Sequence, residues 1–343
     1  MSFEDHVTSF YVALAEQELE QVCQALENMR VSAKCSSDET DEIVAVRDEM
    51  LRSCEAKAQC LQDTALARLH DACRGPDVDV DDSLMAFECC VTLGAAQDAA
   101  SRFSSCLHDI FATRARATLD HVRDCKQVAR VNEHGYIDRA FYVEALSELL
   151  TGATDIMNAV ADVTNETHVL RQVLGPIHST CAEIALEIVH MYAADARMVA
   201  WERRANAQAH RDVRQGVEGN EDVEADESLQ MIDLFLDELA FIIRVLVGYT
   251  AFLSTVCEGL GQAEGNERFQ RKIHELSGVY VVLERFYVFQ SVHKATAIAE
   301  PQALEPGVYV SSVVEDVSFV LKKVFFRASQ WYVARSLAHV FAI

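Results

Sequence analysis

The sequence predicts an almost wholly α-helical fold, and three observations predict it. Apolar residues recur at spacings of three and four, where strands would alternate at two. Only four prolines and thirteen glycines interrupt 343 residues. Those breakers fall mostly between the periodic stretches, which leaves long intervals free to run as helix. With half of the residues apolar or aromatic, the chain can bury a substantial core and form more than one domain-sized unit.

The clearest periodic run is Ile232, Phe235, Leu239, Ile242, Leu246, Tyr249, Leu253 and Val256, alternating threes and fours along one buried face. Tyr142, Leu146, Leu149, Ala153, Ile156, Val160 and Val163 keep the same rhythm, as do Ile177, Cys181, Ile184, Ile188, Met191, Ala194 and Met198. The first helices are expected at about residues 4–34 and 41–73. Cys35-Ser36-Ser37-Asp38 separates them and can cap the second, which Gly75-Pro76 stops. Shorter helices follow from Ser83 to Thr92 and from Ala96 to Cys125, then one from Ile137 to about Asp162. Gly175-Pro176 is expected to start a helix that runs to about Arg211, since proline suits a first helical turn.

Gln215 to Glu227 carries six acidic side chains and two glycines, the composition of a flexible acidic linker. Helices are expected from about Ser228 to Leu260 and from Glu267 to Ala297, then a proline-marked turn at Glu300 to Gly307. Ser312-Val313-Val314-Glu315 has capping-box form, and this decides for helix over strand in the β-branched run that follows. The expected organisation is a helical hairpin at 1–74, a central bundle at 75–214, the linker at 215–227 and a further bundle at 228–343.

The formal charge of −24 is unevenly placed. Residues 1–263 carry 21 Lys and Arg against 46 Asp and Glu, whereas residues 264–343 carry 9 against 8. An acidic body repels phosphate backbones and anionic headgroups, so neither nucleic-acid binding nor polybasic membrane docking is expected. The near-neutral end is a candidate for burial against a partner, and is read equally well as the most apolar part of the chain's own core. Ile232 to Cys257 is long enough to span a bilayer, yet it contains Asp237, Glu238 and Arg244 and reads as a buried helix, so no transmembrane segment is expected. Eleven scattered cysteines, and Glu4-Asp5-His6 where a leader would be apolar, point to a reducing compartment and free thiols.

Asp77, Asp79, Asp81 and Glu88 stand at positions one, three, five and twelve of a calcium loop, but Asp82 occupies the position that needs glycine. An acidic turn whose Asp82 or Ser83 caps the next helix is the better reading, and no calcium is expected. Cys89-Cys90, Cys106 with His108, and His121 with Cys125 lack the paired spacing of a zinc site. Gly259, Gly261 and Gly265 lack the strand and the Lys-Ser/Thr pair of a phosphate loop. No catalytic, cofactor-binding or metal residue is assigned, and no cofactor is expected.

Three blocks in the last third carry a resemblance. They are Gly278-Val279-Tyr280-Val281-Val282-Leu283-Glu284, then Ser291-Val292-His293-Lys294-Ala295-Thr296-Ala297, then Val310-Ser311-Ser312-Val313-Val314-Glu315-Asp316-Val317 with Leu321-Lys322-Lys323 and Arg327-Ala328. In order and spacing they resemble subunit 4 of the conserved oligomeric Golgi complex, and weaker similarity through Arg102-Phe103-Ser104-Ser105 and Gly175 extends it over roughly Leu66 to Ala328. The resemblance implies an elongated stack of antiparallel helical bundles, the rod of the multisubunit tethering type, without an active site. It implies a subunit peripheral to the cytosolic face of Golgi membranes that holds vesicles in retrograde intra-Golgi transport. Its partners would be other subunits of the complex, with SNARE proteins and Sec1/Munc18-type regulators possible, and its membrane association would run through them. Family members are longer at both ends, with an amino-terminal coiled-coil part and a further helical domain beyond the position of Ile343. The alternative is a metal- or thiol-dependent all-α enzyme, which a bound metal or a strongly acidified cysteine would favour.

Overall fold

The computed structural model describes residues 2–34, 41–74, 78–128, 138–212, 224–256, 264–299, 301–305 and 308–340. Among them are eleven helices and one two-stranded hairpin: α1 (Phe3–Glu16), α2 (Leu19–Lys34), α3 (Asp41–Ala72), α4 (Val80–Thr92), α5 (Ala96–Val128), α6 (Ala140–Val163), α7 (Thr167–Asp195), α8 (Met198–Asp212), α9 (Glu224–Val256), α10 (Glu264–Ala297), β1 (Pro301–Glu305), β2 (Val308–Ser311) and α11 (Val313–Val340). Two compact units result, Met1–Phe111 with Ile156–Ile177, and Ala112–Asp155 with His178–Ile343. The residues of α5, α6 and α7 are shared between them. Residues 213–223, most of the expected linker, lie outside the described residues. Glu224 to Glu227 belong to α9.

In the first unit, Ser2 and Asp5 form a reciprocal capping box, with Ser2 N donating to Asp5 Oδ2 at 2.7 Å and Asp5 N to Ser2 Oγ at 3.3 Å. The single helix expected over residues 4–34 is instead the pair α1 and α2. Gln17 takes a left-handed conformation (φ 60) that ends α1. A non-glycine residue there costs roughly 1 kcal/mol. The reversal offsets that cost by folding one apolar stripe onto the other: Phe10 and Ala13 join Val22, Leu26 and Met29 in a core that Cys54 of α3 completes. Between α4 and α5, Phe87 and Phe103 stack with centroids 4.1 Å apart and an interplanar angle of 12°.

Gly175-Pro176, expected to open a helix, lies inside α7. Proline at 176 has no N–H for the carbonyl of Gln172, one helical turn back. The hydroxyl of Ser104 on α5 donates to that carbonyl at 2.9 Å, so the group the proline orphans is satisfied from a neighbouring helix. The helix breaks later, at Ala196 and Arg197, where Arg197 adopts φ 50.

In the second unit α9, α10 and α11 pack on one another, and α8 packs on α10. Ile232, Phe235, Leu239, Ile242, Leu246, Tyr249 and Leu253 of α9 are all buried, as their spacing predicts. Within and just after the turn expected at 300–307, β1 and β2 pair as strands, an exception to the all-helical expectation, and residues 300, 306 and 307 lie outside the described residues. Pro301 pairs with Ser311 and Gln302 with Val310, with a register shift between Ala303 and Glu305. Proline at the first position of a strand loses no ladder bond, which is why Pro301 does not forbid the pairing. The carbonyl of Ser312 then accepts from the amides of Glu315 and Asp316 as α11 begins.

Candidate protein-interaction surfaces

The residues weighed above for catalysis or metal binding do not converge. Asp79, not Asp82 or Ser83, caps α4, its carboxylate accepting from Asp81 N at 3.1 Å. Ser83 instead turns its hydroxyl back to the Asp79 carbonyl, 2.6 Å away. Asp81 and Glu88 then lie on α4 about 10 Å apart along its axis, too far to share an ion. Asp77 lies outside the described residues. His121 and Cys125 face each other on successive turns of α5 with Nε2 and Sγ 3.5 Å apart, and no third ligand joins them among the described residues.

Among the described cysteines, Cys106 is the thiol held below its ordinary value. A hydrogen bond from Cys73 draws it down to about 7, while Cys73 is pushed up correspondingly and Ser83 Oγ stands 3.9 Å away. Cys106 is buried, with 8% exposure, and its neighbours are a thiol and a hydroxyl rather than a base. The nine described cysteines are all free thiols.

What the second unit does build is a set of buried polar nodes, each contributed in part by α9. In the first, Arg327 of α11 reaches three carboxylates. Its Nη1 donates to Glu284 Oε1 of α10 at 3.1 Å, its Nε pairs with Asp237 Oδ1 at 2.8 Å, and its Nη2 pairs with Asp233. Lys323, one turn earlier on α11, also pairs with Asp233. Burial raises the Glu284 carboxyl above its ordinary range despite the pull of Tyr280 and Arg327. In the second, Glu238 Oε2 accepts from Arg139 Nε and from the Tyr192 hydroxyl, both at 3.0 Å. In the third, His178 Nδ1 of α7 lies 3.2 Å from the Tyr249 hydroxyl, and burial holds the imidazole down to about 4. In the sequence Asp237 and Glu238 read only as obstacles to membrane insertion. Their partners are 90 and 99 residues away, and no local spacing reports such pairs.

The exposed part of α11 carries large apolar side chains interleaved with Glu315, Ser318 and Lys322. Phe319, Phe325 and Phe326 are 69%, 71% and 66% exposed, and Val314 and Leu321 flank them. Val317, Val320 and Val324 turn inward and are half-buried, so the helix has apolar side chains on both faces, as their spacing suggests. A cavity of about 450 Å³ runs beside it, lined in part by Asp233, Tyr287, Phe319 and Val320. The side chains of Trp331, Tyr332 and Phe341 lie outside the described residues.

An all-α bundle whose charged residues knit helices together, and whose last helix turns aromatic rings to solvent, belongs to the class of helical-bundle proteins. The family described as "COG4 transport protein, middle alpha-helical bundle" matches residues 92–341. The chain therefore belongs to the family of subunit 4 of the conserved oligomeric Golgi complex, and carries the domain of a Golgi tethering-complex subunit. No curated protein and no solved structure matches it.

Proposed function

We propose that the chain is a non-catalytic scaffold of the Golgi tether, acting in retrograde intra-Golgi transport by holding sister subunits and offering surfaces to SNARE proteins and their Sec1/Munc18-type regulators. The observation that carries this reading is the family match over residues 92–341, which spans both compact units. The exposed phenylalanines of α11 support it, because large aromatic side chains left in solvent are the groups a subunit buries in an assembly. Membrane association would then be peripheral and run through partners, and the reading assigns no catalytic, cofactor or metal residue.

Affinity capture from cell extract with quantitative mass spectrometry tests it. Stoichiometric recovery of the other tether subunits is expected, and recovery of none of them refutes it. A thiol-dependent enzyme is the second reading, and the acidified thiol of Cys106 is the observation that favours it. If Cys106 is structural, the folded chain alkylates it more slowly than exposed Cys60, because reagent access requires opening of the core. Faster alkylation of Cys106 than of Cys60 favours the enzyme.

A further inference from the structure

A groove of about 680 Å³ runs along the outer side of α6 in the second unit, where Phe241 of α9 closes one wall. Val143, Gly152 and Phe241 give it apolar surface, Ser147 and Thr151 line it beside them, and the Arg244 guanidinium lies 4.5 Å from the centre of the Phe241 ring. Glu144, Glu148 and Asp155 line it at spacings of four and seven, so their carboxylates form one stripe over about 16 Å of helix. All three are exposed, and among the described residues none makes an ion pair or hydrogen bond. This sets them apart from Asp233, Asp237 and Glu238, which are all engaged by cations. A β-carbon built on Gly152 meets nothing within 4 Å, so the groove is open there.

Three unpaired like charges beside this apolar surface repel one another and leave it wet. A basic amphipathic helix relieves both, its apolar side chains entering over Gly152 and Phe241 while Lys or Arg meet the carboxylates. Phosphate backbones and anionic headgroups are repelled by the same stripe. The geometry points to this groove as a docking site for a basic amphipathic helix of about three turns on a partner protein. This deepens the scaffold reading and rests on it, since it names one surface and the chemistry of its occupant.

The test uses the full chain and a fluorescent fifteen-residue helical peptide with lysines on one stripe and leucines beside it. Fluorescence anisotropy should detect saturable binding that weakens as salt rises, because rim charges set the salt dependence. Gly152→Trp, which fills the open space over a half-buried helix position, and the charge reversal Glu148→Lys should each weaken binding at least about tenfold. The control Glu183→Lys, on the exposed side of α7, should leave it unchanged. A peptide with glutamate in place of lysine should not bind. The proposal is overturned if the basic peptide fails to bind, if the acidic peptide binds equally, or if both groove variants bind as the wild type does while circular dichroism shows them folded. Loss of peptide binding in a Gly152→Trp chain that has unfolded is set aside in favour of Gly152→Gln, which keeps the helix and still occupies that space. Recovery of sister subunits without peptide binding refutes the groove alone. Peptide binding without recovery of any subunit refutes the scaffold reading alone.

Discussion

Replacing Arg327 with methionine removes the cation at the centre of the α9–α10–α11 node while keeping much of the side-chain volume. The guanidinium is 3% exposed, and its partners differ in how much they depend on it. Asp237 is 47% exposed and water can solvate it, so its share is at most the 0–1 kcal/mol typical of surface pairs, as an order-of-magnitude figure of about that size. Glu284 and Asp233 are 10% and 21% exposed, and for them water is a poor substitute. Breaking a buried pair by removing one partner costs roughly 3–5 kcal/mol, because the remaining charge stays in low dielectric. Lys323 still pairs with Asp233, so the lower part of that range is expected.

The deficit should depend on pH. The Glu284 carboxyl lies above its ordinary value of 4.5, so the folded state holds that proton more tightly than the unfolded state does. Stability is then lost as pH rises from the unfolded value through the folded one. Removing Arg327 raises the carboxyl further and widens the window. The variant's deficit relative to the wild type should therefore be largest near about pH 7.5 and smaller near about pH 5. Because the chain has two compact units, a single melting temperature mixes them, and hydrogen exchange of α11 amides is the better assay. An opening free energy reduced by about 3 kcal/mol speeds exchange roughly a hundredfold. Acceleration below about threefold at neutral pH, or a deficit that grows on acidification, refutes the reasoning.

His178 is neutral in the fold and its imidazole is held to about 4, so acidification from its ordinary 6.5 protonates the unfolded chain first and stability falls over that window. The loss is at most about 3 kcal/mol, and His178→Gln should flatten the slope in urea unfolding between those pH values, an unchanged slope counting against it. Ser104→Ala orphans the Gln172 carbonyl again and should cost about 1–2 kcal/mol of stability, and adding Pro176→Ala should recover it by restoring the helix's own bond. Failure of that rescue in denaturant unfolding would show the bond to be incidental. Phe325→Ser with Phe326→Ser should reduce binding of a hydrophobic dye, or self-association, while shifting stability by no more than about 0.5 kcal/mol, and a much larger loss in the same unfolding assay would mean the rings are core.

Most of the helices were legible because their burial follows one period, and where the period is clean the exposure agrees with it residue by residue, as along α9. The breaks were harder, for different reasons. The reversal at Gln17 has neither glycine nor proline to announce it, and its cause is the pairing of two stripes that are each only a few turns long. Pro176 announced a break that does not occur, because the hydroxyl that replaces its missing bond comes from α5, seventy-two residues earlier in the chain at Ser104. The hairpin at 301–311 was hidden by its length, since four or five residues give too few positions for alternation to stand out against helix. The groove on α6 was invisible for another reason. Glu144, Glu148 and Asp155 look like any solvated helix face until Phe241, almost a hundred residues on, supplies the wall beside them.

The charges of α9 show how one local feature carries two messages of which sequence delivers only the first. A bilayer core rejects an unpaired carboxylate, so Asp237 and Glu238 within the most apolar segment argue against insertion wherever their partners lie. A protein core rejects it too, so Glu238, and with it Asp233 one turn before Asp237, need cations from elsewhere in the chain, whereas Asp237 stays within reach of water. Arg139 and Arg327 meet that demand from opposite ends of the second unit's sequence, one just before α6 and the other on α11. An apolar stripe alone would let these helices slide by a turn with little penalty, since leucine and isoleucine accept many neighbours. Glu238, which must meet Arg139, does not tolerate the slide, because one turn of displacement leaves both charges buried and unpaired. Arg327 and Lys323, drawn to Asp233 and Asp237 of α9 and, for Arg327, to Glu284 of α10, set which side of α11 turns inward, and Phe325 and Phe326 are left at the surface.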